Sequence, residues 1–334
     1  MRAIICGAGA AGCMHALAYR AAGVRVVGVF DPSPIQASAL ATMTGARSLP
    51  NADALFAMDA EMASLCSPPP MHVCQAQSAS QPGRTVLVEK PLATSANELQ
   101  RIAQLDRCVP VLQWRAGRAA LAVRAAILSH EFGEAPSICG DLSWSRDEAY
   151  FAAGRATWRE WGCGVLLSVG IHAVDAVCFA VARPLTQTNG ALSYRRGMEV
   201  ETSAVMTMAF DGGALACLRA TFDADADTTR LSFAGGGASA VIEGSELDPT
   251  AANVTWSAPS RARIRFLRAL EDQCGGARNP PLIVPFLLAA IDAVKRGALP
   301  GDCDALPSVA SALPAHNAVF DVYAEAARQA PRRC

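Results

Sequence analysis

The sequence predicts an α/β protein of two domains. A doubly wound parallel sheet comes first, followed by an α+β domain with a mainly antiparallel sheet. Three observations predict it. The first 115 residues alternate short β-branched runs with alanine-rich helical stretches, a pattern that specifies parallel strands joined by right-handed crossovers. A glycine cluster follows the first strand directly. After about residue 116 the rhythm changes to longer strands in succession.

The elements can be justified in order. Ala3–Cys6, Val24–Phe30, Met62–Cys66, Thr85–Glu89 and Val109–Trp114 read as strands, and their apolar runs without clean alternation fit burial on both faces. Of the helices between them, one ends at Gly23 and another opens at Ser95-Ala96-Asn97-Glu98, with capping-box spacing. A helix over roughly 117–130 leads to a strand near 136–146, an irregular Trp/Arg/Gly-rich stretch and an apolar helix near 165–182. Strands follow at 186–196, 200–210, 214–222, 228–234 and 238–243, with Asp211-Gly212-Gly213 as a hairpin turn. Residues 261–330 read as mainly helical. The expected division is 1–115 for the first domain and 116–334 for the second, with the last helices available to pack back on the first.

Composition narrows the function. With 334 residues, 51% hydrophobic and 18% charged, the chain can bury enough apolar surface to fold. A formal net charge of -1 leaves no footprint for nucleic acid or an anionic membrane. Two apolar stretches, 164–182 and 280–294, carry His172 with Asp175 and Asp292 respectively, and read as buried helices. The strand-like opening Ala3-Ile4-Ile5-Cys6 carries no secretion signal, so a cytoplasmic location is expected. Twelve irregularly spaced cysteines give no zinc or thiol-redox motif and are expected to be reduced, with no metal site. Partners should be small molecules and further copies of the chain.

Gly7-Ala8-Gly9-Ala10-Ala11-Gly12 follows the first strand and opens the first helix, the context in which G-x-G-x-x-G binds a dinucleotide in a Rossmann domain. Gly7 permits the tight turn, Gly9 lets backbone approach the pyrophosphate, and Gly12 allows close helix–strand packing. Ala10 and Ala11 lie where the helix N-terminus offers N–H groups to phosphate. Asp31 ends the second strand nineteen residues after Gly12, placed to accept both ribose hydroxyls. NAD(H) is preferred, because a 2′-phosphate would face that carboxylate. NADP(H) stays open through Arg47 as a distant cation.

Three further segments carry a resemblance. Leu65-Cys66-Ser67-Pro68-Pro69-Pro70-Met71-His72 ends the fourth strand, and Val86-Leu87-Val88-Glu89-Lys90-Pro91-Leu92 ends the fifth. Gly162 to Asp175, GCGVLLSVGIHAVD, opens the long helix of the second domain. Together with the glycine fingerprint these resemble the glucose–fructose oxidoreductase, inositol dehydrogenase and rhizopine-catabolism (Gfo/Idh/MocA) family, in order across nearly the whole chain. The resemblance implies that Lys90 lies beside the nicotinamide and the reacting carbon, and that His172 donates or accepts the proton. It places Ser67, Pro68, His72 and Glu89 on the cofactor side and implies a cis Lys90–Pro91 peptide. It also matches Asp175 to the acid one turn beyond the histidine and implies a dimer or tetramer through the C-terminal sheet. The residue types suit the chemistry: histidine titrates near neutral pH, and lysine can donate to a developing alkoxide. The plain alternative is that His172 and Asp175, at i and i+3, pair with each other.

One departure matters. Where the family usually has aspartate four residues before the histidine, this chain has Ser168, on the same helical face as His172. Without that carboxylate, polyol oxidation is less favoured than reduction of a sugar-like or other small carbonyl or imine. Alternatives are a non-catalytic dinucleotide-binding regulator and an NAD-dependent glycosidase. Tyr150, Arg155, Trp158, Arg159, Ser168 and Asp175 are candidate substrate contacts, with Trp114 and Arg115 at the domain crossover. Cys163 replaces the middle residue of the usual triple glycine.

Overall fold

The computed structural model describes residues 1–152, 154–158, 161–244, 254–274, 283–304 and 306–329. The chain divides into two compact units, 1–113 with 283–313, and 114–282 with 314–334.

In the first unit, strands β1 (Arg2–Cys6), β2 (Arg25–Phe30), β3 (Arg47–Ser48), β4 (Met62–Leu65), β5 (Thr85–Val88) and β6 (Cys108–Pro110) form one sheet. Its order is β3-β2-β1-β4-β5-β6, and every neighbouring pair is parallel. This is the doubly wound order whose ligands sit at the carboxyl ends of the strands, near the reversal between β1 and β4. Ala3, Ile4, Ile5 and Cys6 are all buried, as the apolar run requires of a strand covered on both faces. Helices α1 (Ala10–Ala21), α2 (Pro34–Thr44), α3 (Ala52–Phe56), α4 (His72–Ala79) and α5 (Ala96–Ile102) join the strands.

The caps follow from the residues present. Ser33 accepts the Gln36 N–H, Pro34 takes the first position of α2, and Gly45 closes it at φ +68°. At α5, Ser95 accepts from the Glu98 N–H as its spacing predicts, while the Glu98 carboxylate reaches one residue further back, to the Thr94 N–H. Arg84, 2% exposed, donates to the carbonyls of Phe56, Met58, Ala60 and Ala79, so that one guanidinium ties the α3–β4 connection to the end of α4.

The second unit opens within a 3₁₀ turn at Gln113–Ala116 and continues with α6 (Arg118–Leu128), β7 (Ser137–Ser143) and α7 (Glu148–Ala152). The helix expected near 165–182 is two elements, a π-helical turn at Leu166–Gly170 and α8 (Ile171–Val181). The Ser168 hydroxyl donates to the Gly164 carbonyl at 2.6 Å, a back-bond that competes with the regular helical ladder. Strands β8 (Leu185–Ser193), β9 (Ser203–Phe210), β10 (Leu215–Thr221), β11 (Thr228–Gly235), β12 (Ala238–Gly244) and β13 (Val254–Ser257) follow. With β7 they form a seven-stranded sheet, β13-β12-β11-β7-β10-β9-β8, antiparallel except for β7 with β10. Gly212 and Gly213 turn β9 into β10 at φ +76° and +86°. Alternation assigns the faces. Ala204, Met206, Met208, Ala216, Leu218 and Ala220 are buried, while Val205, Thr207, Leu215, Cys217 and Arg219 are exposed.

Helices α9 (Arg261–Gln273), α10 (Ile283–Lys295) and α11 (Val309–Gln329) complete the described chain. Within the first unit α10 packs on α1, and Lys295 donates to the Ala22 carbonyl.

Candidate active site

The first unit carries the cofactor residues at the carboxyl ends of its strands. Gly7 turns at φ +98°, and a Cβ there would lie 2.5 Å from the Cys66 carbonyl. A Cβ on Gly12 would lie 2.1 Å from the Gly7 oxygen, so the first turn of α1 closes only on glycine. Gly9 differs: a Cβ there would meet nothing within 4 Å. The N-terminus of α1 has no side-chain cap and no acid in its first turn. Exposed Gly9 and Ala10, half-buried Ala11 and that uncapped helix start leave the space and the N–H donors that a pyrophosphate requires. Asp31, half-buried at the end of β2, accepts from the Ala8 N–H at 2.7 Å and the Ser33 N–H at 2.8 Å. The carboxylate is thereby fixed beside the glycine loop, and the residues present fit a dinucleotide. Arg47 is exposed on β3.

At the ends of β4 and β5 lie Ser67, Pro68, His72, Glu89 and Lys90. Ser67 donates to Gln75 Oε1 at 2.5 Å, and Pro68 is exposed. His72 is 1% exposed, with Nδ1 2.7 Å from the Pro91 carbonyl and Nε2 2.8 Å from the Ser67 carbonyl. It braces the two strand-end loops together, and burial lowers its pKa. Glu89 is buried under Lys90. Its Oε1 lies 3.2 Å from His15 Nε2, and its Oε2 accepts the Lys90 N–H at 3.2 Å. Burial pushes the Glu89 carboxyl up, but the His15 contact together with the nearby Lys90 and His72 more than offsets it, and the group titrates below the usual carboxylate range. His15 also meets Ser64, which meets the Tyr19 hydroxyl. This buried chain joins α1, β4 and β5 beneath half-buried Lys90. The Lys90–Pro91 peptide is cis. Sequence reasoning missed His15, whose signal was a lone histidine three residues past Gly12.

The second unit carries the remaining candidates. His172 is 2% exposed on α8, and Trp114 stacks on its ring with centroids 5.1 Å apart and planes 14° apart. Asp175 gives both oxygens to Arg115, at 2.7 and 2.5 Å, in a buried bidentate pair. Ser168, 6% exposed, is turned toward Gly164. The sequence missed Glu201. Its buried carboxyl accepts from the Leu166 N–H and the Tyr323 hydroxyl through Oε1, while Oε2 has no partner among the described residues. Burial raises it to about 7.

Tyr150 and Arg155 do come together. The Arg155 guanidinium lies 4.6 Å from the Tyr150 ring centroid and 4.7 Å from that of Trp161, a residue that sequence reasoning passed over. Arg155 Nε and Trp161 Nε1 are buried without partners among the described residues. Trp158 stands apart from them, its indole N–H on the Glu199 carbonyl and its ring edge-on to Tyr323. Arg159 lies outside the described residues. Cys163 is buried.

Comparison with known proteins decides the family. Residues 1–111 match the oxidoreductase family with an NAD-binding Rossmann fold, and residues 120–241 match the GFO/IDH/MocA C-terminal domain. The chain belongs to the Gfo/Idh/MocA family. It is therefore an NAD-dependent oxidoreductase with an NAD-binding Rossmann domain. Among solved Gfo/Idh/MocA-like structures, the WlbA dehydrogenase of Bordetella pertussis, in complex with NADH and UDP-GlcNAcA, is 20% identical at a TM-score of 0.83, covering 98% of this chain and 96% of that one. The UDP-N-acetylglucosamine 3-dehydrogenase GnnA of Acidithiobacillus ferrooxidans is 17% identical at 0.72, covering 97% of each. An Agrobacterium radiobacter oxidoreductase with NAD+, L-tartaric acid and magnesium is 14% identical at 0.77, covering 98% and 96%. At these identities the likeness shows the Gfo/Idh/MocA fold.

Among the described residues no helix is long and apolar enough to cross a membrane.

Proposed function

We propose that this oxidoreductase moves a hydride between NAD(H) and the carbonyl carbon of a sugar-like or other small carbonyl or imine substrate, mainly as a reductase, with Lys90 and His172 handling the proton. The observation that carries the direction is the fate of the two positions flanking His172 on its helical face. Residue 168 is a serine turned back to Gly164, and Asp175 is held bidentate by Arg115. Neither brings a spare carboxylate to help draw a proton from an alcohol, which favours giving a proton over taking one.

Gly7, Gly9, Gly12 and Asp31 would hold the dinucleotide, which when bound would supply hydride chemistry at its nicotinamide. The chain does the rest. Lys90, kept at the end of β5 with Glu89 beneath it, donates a hydrogen bond to the carbonyl oxygen and stabilises negative charge as it develops there. His172 delivers the proton to that oxygen, a task for which imidazole is the usual side chain. Arg155, between Tyr150 and Trp161, supplies a fixed cation and donors for a hydroxylated or anionic substrate group. The sugar-like class draws support from WlbA and GnnA, whose names and bound sugar concern UDP-linked N-acetyl sugars. Self-association through the open face of the seven-stranded sheet belongs to the same reading. Val205 and Leu215 stand 43% and 57% exposed there.

Fluorescence titration with NADH and NADPH comes first, and saturable binding of NADH over NADPH is expected. Turnover at 340 nm is then compared in both directions, with 3-keto UDP-sugars and NADH and with the parent UDP-sugars, simple aldoses and cyclitols and NAD+. Steady NADH consumption supports the proposal and separates it from redox-neutral hydrolysis. Turnover at neutral pH that runs strongly toward oxidation of a polyol would sink the reductase reading.

A further inference from the structure

The buried chain beneath Lys90 has a direction. It starts at the Tyr19 hydroxyl, 2.8 Å from Ser64 Oγ, passes 2.7 Å to His15 Nδ1, and ends with His15 Nε2 3.2 Å from Glu89 Oε1. The other carboxylate oxygen accepts the Lys90 N–H at 3.2 Å. Tyr19 and Ser64 are 0% exposed, His15 1% and Glu89 7%. An ionised carboxylate only accepts, so His15 Nε2 carries the hydrogen that faces Glu89. Nδ1 of an uncharged imidazole then accepts from the Ser64 hydroxyl, whose oxygen accepts from Tyr19. Burial keeps the Tyr19 hydroxyl protonated. Three donors thus point one way along the chain, each polarising the next, and no charge on His15 is needed.

We propose that His15 is a positioning residue for Lys90. Supplied by Ser64 and Tyr19, it holds the Glu89 carboxylate ionised and in one place beneath the lysine, so that Lys90 is presented as an ammonium. This rests on the reading of Lys90 as the donor to the substrate oxygen.

A carboxyl buried this deeply takes up a proton unless donors hold its charge. Among the causes that keep Glu89 ionised, the His15 hydrogen bond is the largest, and the charge of Lys90 is another. That attraction is mutual, so a neutral Glu89 would take from Lys90 a neighbour that favours its charged form. The other groups at these strand ends do not stand in for His15. His72, from α4, lies with its ring nitrogens on the Pro91 and Ser67 carbonyls rather than on Glu89. Burial pushes the Cys66 thiol up, so that it is uncharged. Glu98, from α5, is turned to the Thr94 N–H and hydroxyl, and Asp31 to the Ala8 and Ser33 N–H groups. His15 also sits in the second turn of α1, whose first turn offers its N–H groups to the pyrophosphate. One helix thereby seats the cofactor and anchors the counter-charge of the lysine.

The chain has two lysines, Lys90 and Lys295, which makes the test direct. Lysine labelled with 13C at Cε is incorporated into the intact chain, saturated with NADH, and followed by proton–carbon NMR from about pH 7 to 11. Lys295→Arg assigns the two signals. His15→Leu should lower the Lys90 midpoint by about one pH unit and leave the Lys295 signal as an internal control. Ser64→Ala and Tyr19→Phe should lower it by successively smaller amounts. His15→Gln, whose amide can donate to Glu89, should retain most of the wild-type midpoint. In a Glu89→Gln background, which lowers the midpoint by itself, Ser64→Ala should add nothing. A midpoint that His15→Leu and Ser64→Ala both leave unmoved overturns the proposal. So does His15→Gln behaving as His15→Leu does, since His15 would then only fill space. Should His15→Leu fail to fold by circular dichroism, Ser64→Ala and Tyr19→Phe decide. NADH oxidation with a 3-keto UDP-sugar separates the two readings. If Lys90→Met abolishes turnover while the NMR arms fail, only the role of His15 falls. If Lys90→Met turns over normally, the reading of Lys90 falls, and the positioning role with it.

Discussion

Gly9 and Gly12 stand three residues apart and are glycine for opposite reasons. Gly12 has a carbonyl oxygen where a methyl would go, while Gly9 has open space there. Gly12→Ala should therefore destabilise the apo chain by about 2 kcal/mol through overpacking, seen as a lower thermal midpoint. Gly9→Ala should leave that midpoint unchanged and weaken NADH by about tenfold, equivalent to about 1.4 kcal/mol. Equal effects of the two variants on stability would exclude this division of labour. The two glycines and Asp31 were legible in the sequence because a strand–turn–helix allows few chemistries at those places. The surroundings of His172 were not. Ser168 and Asp175 could be placed on one face by counting, but helix spacing carries no information about Arg115, which takes up Asp175 from 60 residues away in sequence. Glu201 gave no signal at all, because a glutamate at the start of a strand usually ends in solvent.

At the scale of the element, the π-helical turn at Leu166–Gly170 shows how one buried acid conditions a helix. Glu201 sits against Gly164, where any Cβ would collide with its carboxylate, and accepts the Leu166 N–H. Its carboxyl is raised from 4.5 to about 7 by burial, so between these values the folded chain holds a proton that the unfolded chain releases. Stability conferred by the protonated form is complete below about pH 4.5 and is lost as pH rises to about 7, on the order of 3 kcal/mol in all. Glu201→Gln should flatten this slope, measured by urea denaturation at pH 5 and pH 8. An unchanged pH dependence in the variant would rule the group out. Secondary structure was legible wherever an element was long. The two-residue β3 and four-residue β13 were passed over, since neither is long enough to show a period. The apolar run near 165–182 read as one helix, because hydrophobicity records neither the Ser168 back-bond nor the Glu201 contact at its first turn.

For the whole molecule, the two sheets differ in how they are covered. The parallel sheet has its central strands buried on both faces, while the seven-stranded sheet leaves the row of Val205, Leu215, Cys217 and Arg219 exposed. Val205→Lys combined with Leu215→Lys should convert a self-associated chain to single copies, by light scattering after size exclusion, with the thermal midpoint retained. A mass unaltered by the double substitution would place any self-association elsewhere. The sheet classes themselves were legible, because parallel strands read as continuous apolar runs and one-sided strands as alternation. The first unit is also discontinuous along the chain, since α1 receives α10 from nearly 270 residues downstream. A ribosome delivers residues in order, so the glycine loop and its helix emerge long before the segment that covers the outer side of α1. The nucleotide-binding half therefore cannot mature as an independent early folding event. Nascent chains stalled short of residue 283 should remain protease-sensitive around α1, and residues 1–113 released alone should carry a bare apolar flank that invites chaperone binding.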